Sequence, residues 1–233
     1  MSENILLYNY KFILKDGKEK IFSIKLDKNT LALISEKKEE IPDWAKLENH
    51  KCTNCPIDSN EEKYCPIAVH IMDMILFFKD MVSFEEVDVI VEAEERHYTK
   101  HTTLQQAISS ILGIYMVTSG CPLMEMLKPM VRFHLPFSSE EETVYRVISM
   151  YLFAQYFLHS KDQEVDWKLE KLNKLYDEIN IVNENFTLRL QSIKMEDANL
   201  NALFKLKVFA DYVKFSIDAN MITELEYLFR AYF

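Results

Sequence analysis

The stretch LYNYKFILKDGKEKIFSIKL, residues 7–26, decides how the N-terminal part of this chain folds. Leu6, Tyr8, Tyr10, Phe12 and Leu14 recur at every second position, and so do Phe22, Ile24 and Leu26. Successive side chains alternate across a strand, so each set makes one apolar face. Asp16-Gly17 between them is a two-residue turn signal, because a tight hairpin turn needs the positive φ that glycine adopts freely. Residues 5–27 are therefore read as a β-hairpin with an apolar side and a polar side. A lone hairpin is marginal in water, so a later part of the chain must cover the apolar side.

Outward from the hairpin, residues 28–65 are polar and irregular and contain the first three cysteines. PIAVHIMDMILFFKDMV at 66–82 reads as a helix opened by Pro66, with apolar residues at 67, 71, 74, 75 and 78. VDVIVEAEERHY at 87–98 reads as a third strand, with Val87, Val89, Val91 and Ala93 on one face and charge toward its end.

Beyond it the pattern is helical. HTTLQQAISSILGIYMVTSGCPLM at 101–124 contains no Asp, Glu, Lys or Arg. Thr102 or Thr103 caps a helix running to about residue 118 that Gly120 ends. Its Gln, Ser and Thr side chains mark it as a buried helix with polar partners, not a membrane span. Pro122 opens a short helix that Pro129 interrupts or ends. Ser138 or Ser139 followed by three acids is an N-cap. Residues 142–160 are apolar nearly all round, which predicts a central helix in a bundle. Residues 165–233 lack Gly and Pro and read as two or three amphipathic helices with breaks near 183–185 and 195–200. The fold class is α+β: a hairpin, a cysteine-containing loop and helix and a third strand, followed by an all-helical C-terminal region. The regions 1–100 and 101–233 are expected to share one core, since the uncharged helix needs cover on all sides.

Composition narrows the function classes. The chain has 233 residues, 48% of them hydrophobic, enough for a sizeable core. A formal net charge of -10, with no basic cluster, excludes nucleic acid as an expected partner. Glycine occurs only at 17, 113 and 120, which removes GxGxxG, Walker and GxSxG loops. The first residues lack the basic and apolar regions of a secretory leader, so a cytoplasmic location with reduced thiols is expected. Nothing in the sequence singles out a protein partner or a small-molecule substrate.

Three of the four cysteines precede a proline: NCPID at 54–58, YCPIA at 64–68 and GCPLM at 120–124. Chance placement predicts roughly 0.1 such steps. Cys52, Cys55 and Cys65 have the spacing C-x2-C-x9-C, and Cys121 follows 56 residues later. A C-x2-C loop turns two thiolates toward one point, as a metal site requires. Pro66 and Pro122 would each open a helix with Cys65 or Cys121 as N-cap, where the positive helix end lowers a thiol pKa. Zinc fits four cysteines in a tetrahedron; an iron–sulfur cluster tolerates more dispersed cysteines. His50 could replace one ligand. Free buried thiols with no cofactor, or a redox disulfide, are the alternatives.

Other polar groups compete for attention. Arg132 and His134 would share one face of an extended loop and could grip an anion. Glu95 and His97 stand at the end of the third strand and could join them in a ligand or catalytic site, against a bland reading as a solvated strand end. Gln105, Gln106, Ser109 and Ser110 lie on the uncharged helix as buried hydrogen-bond partners or pocket lining. Gln155 and Arg146 sit on the apolar helix, and Arg146, if buried, needs a carboxylate such as Glu95 or Glu125. No Ser/His/Asp or Cys/His arrangement is fixed by spacing, so the sequence does not decide whether the protein is an enzyme.

HKCTNCP, YCPIA, TTLQQAISSILGIYMVTSGCPLMEMLKPMVRFHLPF and EETVYRVISMYLFAQYF together resemble a family of small uncharacterised bacterial proteins with no established activity. The resemblance covers most of the chain, and its 102–157 block is the most specific part. It implies a bacterial cytoplasmic protein whose four cysteines and RFHLPF loop belong to one design. The first expectation is a structural four-cysteine metal site tying the 50–65 loop to the helical half. The second is an iron–sulfur redox or sensor protein, and the third a ligand site built on Arg132, His134, Glu95 and His97.

Overall fold

A computed structural model describes residues 4–36, 38–219 and 221–233. Residues 1–3, Lys37 and Asn220 lie outside the described residues, among them the first residues read for a secretory leader and part of the polar 28–65 stretch. Four strands, β1 (Ile5–Leu14), β2 (Glu19–Asp27), β3 (Glu86–Glu92) and β4 (His97–Thr103), form one antiparallel sheet in the order β2-β1-β3-β4. β1 is central, pairing Tyr10 with Phe22 on one side and with Val91 on the other. Residues that face one another share a side of the sheet, so Leu6, Tyr8, Tyr10, Phe12, Ile24, Leu26, Val87, Val89 and Val91 make one buried face. The hairpin closes over three residues, 15–17, where two were expected. The Leu14 N–H reaches the Lys18 carbonyl, Gly17 N–H reaches the Leu14 carbonyl, and Gly17 takes the left-handed position at φ 82°.

Two helices cover the apolar face. α1 (Pro66–Phe77) lies across it, and Phe78 at its end stacks within 5.0 Å of Phe12 and 5.7 Å of Phe22, ring centre to ring centre. α2 (Leu104–Thr118) has Leu104, Ala107, Ile108, Ile111, Leu112, Ile114 and Met116 buried around its circumference, as the absence of charge requires. α3 (Lys128–Arg132), α4 (Glu140–His159), α5 (Glu170–Gln191) and α6 (Ala198–Asp218) pack beyond α2, followed by a 3-10 segment, Met221–Tyr232. The buried apolar side chains form one connected cluster running from Leu6 on the sheet to Val213 on α6. Among the described residues no helix is long and apolar enough to cross a membrane.

Several local expectations are corrected. The strand read over 87–98 is two strands: β3 stops at Glu92, the chain turns, and His97 starts β4. β4 is the exposed edge, where polar side chains on both faces erase the period-two signal and discourage pairing with other chains. α1 stops at Phe77, five residues early. Pro129 falls in the first turn of α3, where its missing N–H costs nothing, so it begins a helix and does not end one. α4 is not central. Its N-terminus carries the Ser139–Glu142 capping box, but only Val144, Val147, Ile148, Tyr151 and Gln155 are buried, while Tyr145, Phe153, Tyr156 and Phe157 are exposed. Aromatic residues on the outer side had made it look apolar all round. α5 runs unbroken through 183–185, where a break was expected; the other expected break, near 195–200, falls at 192–197.

Gly113 sits in α2 with an ordinary backbone, and a Cβ there would meet only the Leu206 Cδ2, at 3.8 Å. Gly113→Ala is expected to raise unfolding stability by about 0.5–1 kcal/mol, since the helix loses its most flexible residue without a clash. Urea denaturation midpoints measure it.

Candidate functional site

The four cysteines come from three separate segments. Cys52 and Cys55 belong to a turn in which Cys55 N–H donates to the Cys52 carbonyl at 3.0 Å, and both are half-buried. Cys65 is buried at the N-cap of α1, as the Cys-Pro reading expected, and its own N–H donates to the Ala45 carbonyl at 2.9 Å. Its side chain makes no capping hydrogen bond, but the Ile67 and Ala68 amides act to lower the thiol. Cys121 is buried just after α2, where Gly120 at φ 91° turns the chain. Pro122 begins a turn there in place of a full helix, in which the Met124 N–H donates to the Cys121 carbonyl at 3.0 Å, and the Leu123 and Met124 amides act to lower the Cys121 thiol.

The thiols lie near enough to act on one another. Burial, and then the proximity of Cys65, Cys121 and Cys55, pushes the Cys52 thiol up to about 12. Burial likewise pushes Cys121 up to about 11 against the Leu123 and Met124 amides, and raises Cys65 despite Arg189 and its helix end. Helix ends were expected to lower these thiols; loss of hydration outweighs them. All four cysteines are free, and among the described residues no three His, Cys, Asp or Glu side chains are placed to hold a metal ion. His50 is exposed and turns its carbonyl, not its ring, inward.

One residue that the sequence reading passed over organises this region. Arg189 on α5 is 1% exposed. Its guanidinium donates to the carbonyls of Trp44 (2.8 Å), Lys46 (2.5 Å), Leu47 (3.1 Å) and His50 (3.4 Å). Among the described residues it has no carboxylate at ion-pair distance, and the anionic groups that would act on it are Cys65, Cys52 and Cys55. Asn54 on the cysteine loop donates to the Glu178 carbonyl at 3.0 Å, a second tie to α5. The clue available in the sequence was an arginine at a core position of an amphipathic helix.

The second polar centre lies on the far side of α2. Tyr8 Oη donates to the Val131 carbonyl at 2.8 Å, and Tyr10 Oη is 2.5 Å from His134 Nε2 and 2.9 Å from Ser110 Oγ. Two tyrosines of β1 thus anchor the 131–134 loop. Burial, with Arg146 nearby, pushes the His134 imidazole down to about 3. His134 lines a cavity of about 880 Å³ between α2, the 130–139 loop, α4, α5 and α6. Ser109, Ser110 and Gln106 also line it, and so does Met124, beside Cys121. Arg146 lines it too and donates to the carbonyls of Met130 (2.9 Å) and Phe133 (2.7 Å). Neither Glu95 nor Glu125 serves it, because loop carbonyls reach the guanidinium first. Gln155 receives the Asp166 N–H at 2.7 Å.

The structure does not gather Arg132, His134, Glu95 and His97. Arg132 ends α3, so it and His134 are not on an extended face; Arg132 pairs outward with Glu94 at 3.3 Å, which Lys28 also holds at 2.6 Å. Glu95 and His97 are exposed at the β3–β4 turn. Only His134 of the four lines the cavity.

Fold and site together define an α+β protein with a buried thiol cluster beside a helix-walled cavity. The chain belongs to the family described as Domain of unknown function (DUF6901), which it matches over residues 6–230. No curated protein and no solved structure matches it.

Arg189→Met is expected to destabilise the protein by about 3–5 kcal/mol, because four loop carbonyls lose their donor, and Arg189→Lys should restore only part of it. Chemical denaturation of both variants tests this. His134 gives a second expectation. Its pKa is depressed in the fold, so the unfolded chain binds the proton first as pH falls below 6.5. Stability should therefore drop between pH 6.5 and about 3, by at most about 1.4 kcal/mol per pH unit. His134→Gln should flatten that slope in urea titrations at pH 7.5, 6 and 5.

Proposed function

We propose that Cys52, Cys55, Cys65 and Cys121 are the ligands of an iron–sulfur cluster, and that the protein is an electron-transfer or redox-sensing protein. The observation that carries this is the mutual proximity of four thiols from three segments, three of which, Cys52, Cys55 and Cys65, act on one buried guanidinium that among the described residues has no carboxylate at ion-pair distance. A buried charge needs a counter-charge. Four thiolates around a metal centre carry excess negative charge, and the cation of the centre displaces the protons that burial otherwise retains on Cys52, Cys65 and Cys121. The backbone amides that act to lower the Cys65 and Cys121 thiols support the same reading, since amides beside the sulfurs tune such centres.

The choice of a cluster over a single zinc ion rests on spacing. Zinc at about 2.3 Å from each sulfur draws four sulfurs to within about 4 Å of one another. The thiols here are close, yet among the described residues no three are placed to hold an ion. A cluster interposes its own iron and sulfide between the cysteines and so spans wider gaps. Half-buried Cys52 and Cys55 put one edge of the centre near solvent, which suits electron exchange or sensing better than a purely structural role.

Anaerobic purification with iron, sulfide and zinc analysis is the test. About four iron and four sulfide per chain, with broad visible absorption lost in Cys121→Ser, is the expected result. About one zinc per chain without visible absorption would replace the cluster by a structural ion, and no metal would return the cysteines to the core.

A further inference from the structure

From the cavity beyond α2 we infer a binding site for a small amphiphilic carboxylic acid: an apolar body of roughly eight to twelve carbons, one carboxylate and a hydrogen-bond donor. It does not depend on the cysteine centre.

The volume, about 880 Å³, is that of a ligand site and not of a packing defect. Glu140 and Lys100 on its rim are exposed, so it reaches the surface. Leu206, Phe209, Val213 and Leu127 supply an apolar lining. Within this lining two polar groups have unused capacity. The amide oxygen of Asn183, a residue 2% exposed, is buried with no hydrogen-bond partner. Natural interiors satisfy such atoms, so an orphan on a cavity wall points to a group that the cavity receives. That group is an O–H or N–H.

Arg146 is the second. Among the described residues only its Nη2 is engaged, by the two loop carbonyls, and no carboxylate stands at ion-pair distance, although Glu142 is near enough to act on its charge. Glu142, one turn earlier on α4, is occupied by the Ser139 N–H at 2.7 Å. A planar guanidinium with free donors takes a carboxylate in two parallel hydrogen bonds. A single negative charge fits better than a phosphate dianion. His134 is held neutral, and the remaining charged lining is Lys100 and Lys205 against Glu140, Glu141 and Glu142.

Isothermal titration of the full chain with octanoate, 1-octanol and octylamine tests the head group. Octanoate should saturate at about one per chain and bind at least about tenfold more tightly than 1-octanol, with octylamine weakest. Arg146→Gln should remove the preference, so that within this variant octanoate and 1-octanol bind equally. Gly113→Leu, which grows from α2 into the cavity, should abolish octanoate binding, with Gly113→Ala as the folding control. Of 2-hydroxyoctanoate and 8-hydroxyoctanoate, at least one should bind more tightly than octanoate, and Asn183→Leu should erase that gain. Equal affinity for octanoate and 1-octanol in the unaltered protein overturns the proposal without any variant. Octanoate binding that survives Gly113→Leu also overturns it, because the acid then sits on exposed apolar surface such as the outer side of α4.

Discussion

Tyr8, Tyr10 and Phe12 lie along one face of the central strand, and burying them constrains everything placed above the sheet. Each buried aromatic contributes about 1.5–3 kcal/mol when covered, which draws α1 and α2 onto the face. The two phenols bring a further demand, because a buried hydroxyl must be hydrogen-bonded. Tyr8 meets it at the Val131 carbonyl and Tyr10 at His134 and Ser110. The sheet therefore fixes the 131–134 loop, that loop holds Arg146 by its carbonyls, and Arg146 belongs to α4. One wall of the cavity is set by the hydrogen-bonding ends of two residues on β1.

Arg189 performs the corresponding task on the other side. It gathers four carbonyls of the 44–50 segment, which has little regular structure of its own, and fastens it to α5. The cysteine turn follows directly, and Asn54 adds its own tie to α5. A guanidinium is suited to this because its donors fan out in a plane and its charge resists burial without anionic company. The thiols are the groups available to provide that company. Electrostatics thus connects a loop-docking device with the chemistry of the cysteines.

The two centres share α2 and the turn after it. Met124 N–H donates to the Cys121 carbonyl at 3.0 Å while its residue lines the cavity. A change in the packing of either centre is felt by the same short turn, which lies between the end of α2 and α3.

The class of the fold, the hairpin face, the all-round burial of α2, the Ser139 cap and the helix-opening role of Pro66 were legible in the sequence, because each follows from local periodicity or from the geometry of one residue type. Edge strand β4 was not, since a strand exposed on both faces carries no alternation. The outward position of α4 was not, because a Tyr- and Phe-rich helix reads the same whether its aromatic side is covered or bare. Of the site, the Cys-Pro pattern was legible as a pattern. The positions of Arg132, Glu95 and His97 were decided elsewhere, by Glu94 and Lys28 and by a turn at 93–96 that the charge run concealed. Arg189 and Asn183 became visible only in the folded chain. Sequence spacing reports which residues share a face of one element; it does not report which groups from distant segments meet after burial has stripped their water, and that meeting determines both the raised thiols of Cys52, Cys65 and Cys121 and the orphaned amide in the cavity.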